Sequence, residues 1–287
     1  MLILDQLKQT ADFTTTETRI ASYLLQHLDT AKSMYLKDLA TATYTSHSAI
    51  IRLAQKLGYR GFRDFQQALT TAAVAQARTV TEVDANFPFA ADDDPQAIAK
   101  KMADLTVTTV QRSFDQLDTT TLTAMAQTLD QAERIFIFSQ GDSQLRARSF
   151  QNKLIKINKF AIIAEEYADD AWNAANLTSR DCALFISYAG TTKVHQQFAT
   201  YFHDQQIPCL VITGNADAPL IPLSSQHLIS LQSENGFAKI GTFASQTAFE
   251  YLLDTLFSVM YAQHFQQHLS NLQQKQQLIQ DGPLTTK

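Results

Sequence analysis

Two groups of residues in this chain have types and spacings that could do chemistry. The first is small and hydroxylated. Gly141-Asp142-Ser143 follows the apolar run Arg134–Ser139, and Ser187-Tyr188-Ala189-Gly190-Thr191-Thr192 begins inside a second run, Cys182–Tyr188, and extends past it. Small turn residues let backbone N–H groups approach an anion, a following helix terminus adds positive partial charge, and hydroxyls complete the shell. Ser143, Ser187, Thr191 and Thr192 fit anion capture, and no catalytic base stands beside them in the sequence. Singly, each would be an ordinary helix cap; their joint placement after two apolar runs is what points to a ligand. The second group is cationic: Arg52, Lys56, Arg60 and Arg63 lie within and just beyond Ser46–Leu57.

The elements that must position the hydroxyls are strands. "RIFIFS", "CALFISY" and "PCLVIT" are short, β-rich apolar runs, each followed by a Gly- or hydroxyl-bearing turn and separated by helical stretches. That alternation predicts an α/β domain with a parallel sheet covered by helices on both faces, and such sheets bind ligands at the carboxyl ends of their strands. The elements that must position the cations are helices. Thr14 to Leu28 predicts a first helix, with Thr14 and Glu17 set as a capping box. Leu36, Leu39 and Ala40 mark a short second helix, and Thr43-Tyr44-Thr45 interrupt it. Ser46 caps a third, whose stripe is Ile50, Leu53, Ala54 and Leu57.

Two short helices over an earlier one describe an all-α helix-turn-helix unit. The second helix of such a pair enters the major groove, and its N-terminal residues reach base edges. Those residues are Ser46, His47, Ser48 and Ala49, with Arg52 one turn on and Lys56 beyond it. Arg60 and Arg63, after the breaks at Gly58 and Gly61, are placed to hold phosphates. On periodicity alone, a three-helix core with a solvated charged face is the better fit; the order of the features is what favours the helix-turn-helix.

At 287 residues, 45% of them apolar, the chain is long enough for two cores. The division expected is a helix-turn-helix domain at 1–77, a linker at 78–95 and an α/β domain with leading helices and a C-terminal helix at 96–287. The linker carries Pro88, Pro95 and the run Asp92-Asp93-Asp94. The net charge of −5 conceals an asymmetry: nine Lys and Arg stand against six Asp and Glu in residues 1–78, and fourteen against twenty-two in the remainder. A basic module on an acidic body suits nucleic acid at one end only. No apolar run approaches the roughly 18–20 residues of a membrane span, and the N-terminus lacks the order of a signal peptide, so a cytoplasmic protein is expected. Cys182 and Cys209 sit at apolar runs without ligand spacing and read as buried thiols rather than a metal site. His195, His203 and His227 have no partner that the sequence names. Glu250, in "FEYLLDTLFSVMY", lies on an apolar helix whose spacing favours packing over chemistry.

The stretch Ser46-His47-Ser48-Ala49-Ile50-Ile51-Arg52-Leu53-Ala54-Gln55-Lys56-Leu57-Gly58-Tyr59-Arg60-Gly61-Phe62 resembles the RpiR-type bacterial transcriptional regulators, whose helix-turn-helix domains commonly read S-x-A-T-V-x-R-F-x-x-K-L-G-(Y/F)-x-G-F. Ser46, Arg52, Lys56, Leu57, Gly58, Gly61 and Phe62 match. Tyr44 stands where that family often has a turn Gly, and Ala49 replaces a frequent Thr. The part from Ala132 to Phe265 resembles a SIS (sugar isomerase) phosphosugar-binding domain, in which a strand-G-x-S turn is followed by a strand ending S-x-S-G-x-T.

By that resemblance Ser143, Ser187, Gly190 and Thr192 inherit a phosphosugar-binding role, with Gly141, Asp142, Tyr188 and Thr191 around them. Ala189 lacks the second serine hydroxyl. Together the two resemblances imply a transcription factor that binds double-stranded operator DNA and responds to a phosphosugar. They imply no catalytic residue, cofactor or metal, and a homodimer or homotetramer with two-fold pairing. The alternative is a sugar-phosphate isomerase with an accessory helical domain and a carboxylate base near Glu250.

Overall fold

The structure, a computed structural model, describes residues 3–8, 12–78, 81–165, 170–234 and 236–285. The chain separates into two units, at 1–80 and 81–287. In the first, α1 (Ile3–Lys8) precedes α2 (Thr15–Gln26), α3 (Leu28–Ala31), α4 (Leu36–Ala42), α5 (His47–Lys56) and α6 (Phe62–Arg78). The capping box forms: the Glu17 amide donates to Thr14 Oγ1 at 3.3 Å, and the Thr14 amide donates to Glu17 Oε2 at 2.8 Å. Apolar stripes of successive helices meet in one core, with Ile20 and Leu24 of α2, Leu39 of α4, Ile50 and Leu53 of α5, and Phe65 and Leu69 of α6 all buried.

The α4–α5 turn is closed by Thr43, whose hydroxyl donates to the Leu39 carbonyl at 2.7 Å, and by the Thr45 amide, which donates to Ala40 at 2.9 Å. Its middle residue, Tyr44, has φ +52. The turn is therefore the left-handed one that favours glycine, held here by an exposed tyrosine.

The second unit opens with residues 81–94, which form neither helix nor strand. They are nonetheless packed: Ala85 is buried with Leu105 and Ala244, and Thr81 donates to Asp104 at 2.6 Å. Asp94 then accepts from the Ala97 amide at 2.8 Å and, with Pro95 behind it, starts α7 (Pro95–Asp115). α8 (Thr119–Gln131), β1 (Ile135–Phe138), α9 (Asp142–Lys156), β2 (Ala161–Ile163), α10 (Asp170–Ala175), β3 (Cys182–Ile186), α11 (Lys193–Asp204), β4 (Cys209–Thr213), β5 (Gln226–Ile229), α12 (Ala244–Gln263) and α13 (Phe265–Gln276) follow.

The five strands are all parallel, in the order β2-β1-β3-β4-β5. Alternate residues face opposite layers. Ile135, Ile137, Leu184, Ile186, Leu210 and Ile212 pack under α8, α9 and α12. Phe136, Phe138, Phe185 and Val211 pack against Phe202 and Ala199 of α11. The strands β2 and β5 have no counterpart in the sequence reading; both are edge strands, three and four residues long, with Ile162 and His227 exposed. The buried thiols lie at the start of β3 and β4, and burial raises both, Cys209 to about 12. No helix among the described residues is long and apolar enough to cross a membrane.

Candidate functional site

Strand order reverses between β1 and β3, so the loops after these two strands border the crevice where parallel sheets bind ligands. Gly141-Asp142-Ser143 follows β1, and Ser187 to Thr192 follows β3; the fold brings the two hydroxyl-bearing turns to one edge. Gly141 has φ +58 and precedes α9, while Thr192 precedes α11; neither caps its helix through a side chain. First-turn N–H groups are thus left for another acceptor.

The turn after β3 is braced from β4. Thr213 Oγ1 donates to the Tyr188 carbonyl at 3.1 Å, and Asn215 Nδ2 donates to the Ala189 carbonyl at 3.1 Å. Within the turn the Gly190 amide donates to Ser187 Oγ at 3.3 Å. Gly190 has φ +65, and a Cβ there would lie 2.4 Å from Ala218 Cβ, so no other residue fits.

Two predicted ligand residues are occupied otherwise. The Tyr188 ring packs on Gly214 and edge-on to Phe249, and its hydroxyl accepts from the Ser233 and Glu234 amides at 3.0 and 2.8 Å. Burial raises this phenol, which stays neutral. The Asp142 carboxylate accepts from the Thr242 hydroxyl. A further polar cluster lies at the same edge. Glu165, after β2, accepts from Gln140 Nε2 at 2.7 Å and pairs with His195 Nε2 at 2.8 Å. His195, left without a partner by the sequence, is buried against Phe138 and Phe185. No sequence signal could have joined Glu165 to it, because the intervening β2 was unread.

On α5, Ser46 Oγ accepts from the Ala49 amide at 3.2 Å, so this hydroxyl is a cap as well as a candidate contact. His47, Ser48 and Arg52 are exposed on one face, and Arg60 and Arg63 are exposed beyond the helix. Arg60 lies 3.7 Å from Asp64. Two of the predicted contacts have other partners within the fold. Ala49 is buried in the helical core, because position 49 falls on the same side as Ile50 and Leu53. Lys56 turns back onto α2: its Nζ donates to Glu17 Oε2 at 2.8 Å and to the Asp12 carbonyl at 2.5 Å, over the Phe13 ring. That hydrogen bond, with the Thr14 amide, holds the Glu17 carboxyl below its ordinary range.

The helix-turn-helix domain of the rpiR family matches residues 1–76, and the SIS domain matches residues 128–275. The chain belongs to the RpiR family of transcriptional regulators. Its relatives include HTH-type transcriptional regulators of Providencia stuartii, 26% identical over 84% of each chain, and of Caldanaerobacter subterraneus subsp. tengcongensis, 25% identical over 87% of this chain and 86% of that one. The Vibrio vulnificus NanR protein, solved in complex with ManNAc-6P, shares the fold over 99% of both chains at 24% identity and a TM-score of 0.60. The sugar isomerase domain of an RpiR transcription factor from Sphaerobacter thermophilus shares it over 60% of this chain and 94% of that one, at 13% identity and a TM-score of 0.53.

In this RpiR-family regulator Glu250 is held as a structural anion. Its carboxylate accepts from Lys153 Nζ and Ser149 Oγ at 2.8 Å each and from Arg146 Nη1 at 3.0 Å. Partial burial pushes this carboxyl up, but the hydrogen bonds of Lys153 and Ser149 and the charges of Lys153 and Arg146 outweigh it, leaving it below the ordinary range. An isomerase base needs the opposite tuning, toward neutral pH. The chain is a regulator by its family, and its curated relatives are named as transcriptional regulators.

Proposed function

We propose that this regulator reads operator DNA with the exposed face of α5 and that a phosphosugar in the crevice between the β1 and β3 turns changes its operator affinity. The observation that carries the reading is the meeting of two hydroxyl-bearing turns, each opening a helix without a side-chain cap, at the point where the strand order reverses. Ser143, Ser187, Thr191 and Thr192 hold the phosphate with the backbone amides of those turns, and Gly141 and Gly190 shape them. The ManNAc-6P bound by NanR, a protein of the same fold, supports a phosphosugar as the ligand class.

At the DNA, His47, Ser48 and Arg52 face the bases, with Arg60 and Arg63 on phosphates. A homodimer or homotetramer presents two such helices to a roughly palindromic operator. The effector works by population shift: a tenfold change in operator affinity requires it to bind one conformer about 1.4 kcal/mol better than the other, within reach of a few charge-assisted hydrogen bonds.

Selection of genomic fragments by the purified protein, with and without a set of phosphosugars that includes ManNAc-6P, tests both halves. Arg52→Ala is expected to weaken binding of the recovered fragment and to lower the slope of log affinity against log salt by about one. Unchanged affinity and slope would remove α5 from the interface. Recovery of the same fragments at the same affinity with every sugar phosphate would remove the effector role.

A further inference from the structure

The segment between β5 and α12 is fastened at three places distant in sequence. Near its start the Ser233 and Glu234 amides donate to the hydroxyl of Tyr188, in the turn after β3. Near its end the Thr242 hydroxyl donates to Asp142, in the turn after β1. The segment therefore spans the two halves of the proposed crevice. Between these anchors Lys239 is fixed: its Nζ donates to Glu234 Oε2 at 3.1 Å and stands 5.5 Å from the centroid of the Tyr188 ring.

Glu234 does not depend on that lysine alone. Its buried carboxylate also accepts from the Ser245 amide at 2.9 Å and the Ser245 hydroxyl at 2.7 Å, at the start of α12. An ammonium has three donors, and Glu234 takes one. The turns 141–143 and 187–192 contain no cation; the lysine next in sequence, Lys193, is exposed at the start of α11. The third fastening adjoins Lys239. The Ile240 amide donates to the Asn86 carbonyl at 2.9 Å, and Asn86 Nδ2 donates to the Ser233 carbonyl at 3.4 Å. Asn86 lies in the packed stretch 81–94, the part of the chain that continues into the helix-turn-helix unit.

We infer that Lys239 is the cation that binds the effector's phosphate, and that its segment, residues 236–243, passes occupancy to residues 81–94 through the bond between Ile240 and Asn86. The inference rests on the phosphosugar reading above. A phosphate in the crevice engages the remaining donors of Lys239, an interaction stronger than a neutral hydrogen bond and prepaid by the fixing of the side chain on Glu234 and Tyr188. Ile240 is the next residue, so a shift of the lysine backbone is felt directly at Asn86.

The test uses the full-length protein and calorimetric titration with ManNAc-6P, other hexose and hexosamine phosphates, and inorganic phosphate. Lys239→Gln keeps a donor for Glu234 and removes the charge; it is expected to weaken every phosphorylated ligand that the wild type binds by about tenfold to a hundredfold. Lys239→Arg is expected to restore most of the affinity, and Lys193→Gln to change little. Hydrogen exchange follows the transmission: a saturating ligand is expected to alter exchange in peptides covering 81–90 and 236–243 of the wild type, and to leave 81–90 unaltered in Lys239→Gln.

Wild-type affinity in a folded Lys239→Gln protein, alongside lost binding in Ser187→Ala, overturns the inference and leaves the crevice intact. Unaltered exchange at 81–90 in the saturated wild type overturns the transmission. If no phosphorylated ligand binds the wild type, the phosphosugar reading itself falls.

Discussion

Gly190→Ala perturbs the crevice at the point where the fold leaves least room. The residue sits at φ +65, and the new Cβ would lie 2.4 Å from Ala218 Cβ and 3.1 Å from Thr213 Oγ1. Left-handed backbone costs a residue with a side chain about 1–2 kcal/mol. The contact forces a displacement into packed surroundings, since Ala218 is 1% exposed, and such overpacking costs about 1–3 kcal/mol. Against this, alanine restricts the unfolded chain and returns about 0.4–1 kcal/mol. The net loss is about 3 kcal/mol, which for a unit of roughly 200 residues lowers the melting temperature by roughly 6–12 °C.

Calorimetry of the full chain reads the shift, and a double variant separates its causes. Ala218→Gly removes the clash but not the backbone strain, so the pair is expected to lie about 1–2 kcal/mol above the sum of the single effects. A Gly190→Ala protein that melts within about 1 °C of the wild type, or additive single effects, would refute the steric reasoning.

Tyr44→Gly is expected to stabilise the helix-turn-helix unit by about 0.5–1 kcal/mol, the relief of left-handed strain at φ +52 less the entropy that glycine loses on folding; hydrogen exchange of peptides in α2 and α5 measures it, and faster exchange would contradict the strain. Asp181 gives a pH prediction. Its burial would raise the carboxyl, but Arg134 grips it through Nε and Nη2 at 2.8 Å each, and Thr178 adds an amide and a hydroxyl, so the folded value lies below the ordinary one. Its contribution is therefore complete above the ordinary carboxylate range and lost as pH falls through the depressed folded value. Asp181→Asn is expected to cost about 2 kcal/mol at pH 7, less than a fully buried pair because Arg134 is half-exposed, and to flatten the acid limb of a stability–pH profile; an unchanged limb would show that the pair does not govern it.

Local signals were enough where one short stretch contains both the signal and its consequence. The Thr14–Glu17 box, the Ser46 cap, the α5 stripe and the apolar runs of β1, β3 and β4 each depend on neighbours within a few residues. Edge strands escaped, because β2 is only three residues long and β5, in part exposed, carries no apolar run. The same limit hid the Glu165–His195 pair, whose members are thirty residues apart.

Side-chain roles separated most sharply at matched motif positions. Lys56 matches the family pattern, yet its charge is turned to Glu17, and Ala49 faces the core although it stands beside exposed His47 and Ser48. Tyr188 sits within the crevice motif but braces Ser233 and Glu234.

The sequence by itself determined the helix-turn-helix, the parallel α/β architecture and the two hydroxyl-bearing turns, because hydrophobic period, capping and turn chemistry are short-range. Only the tertiary structure decided that those turns meet where the strand order reverses, that Glu250 is neutralised by Arg146 and Lys153, and that Lys239 is held over the Tyr188 ring beside an Ile240 tied to Asn86. Those facts depend on contacts between residues far apart in the chain, which are fixed only when the sheet and its helices have packed.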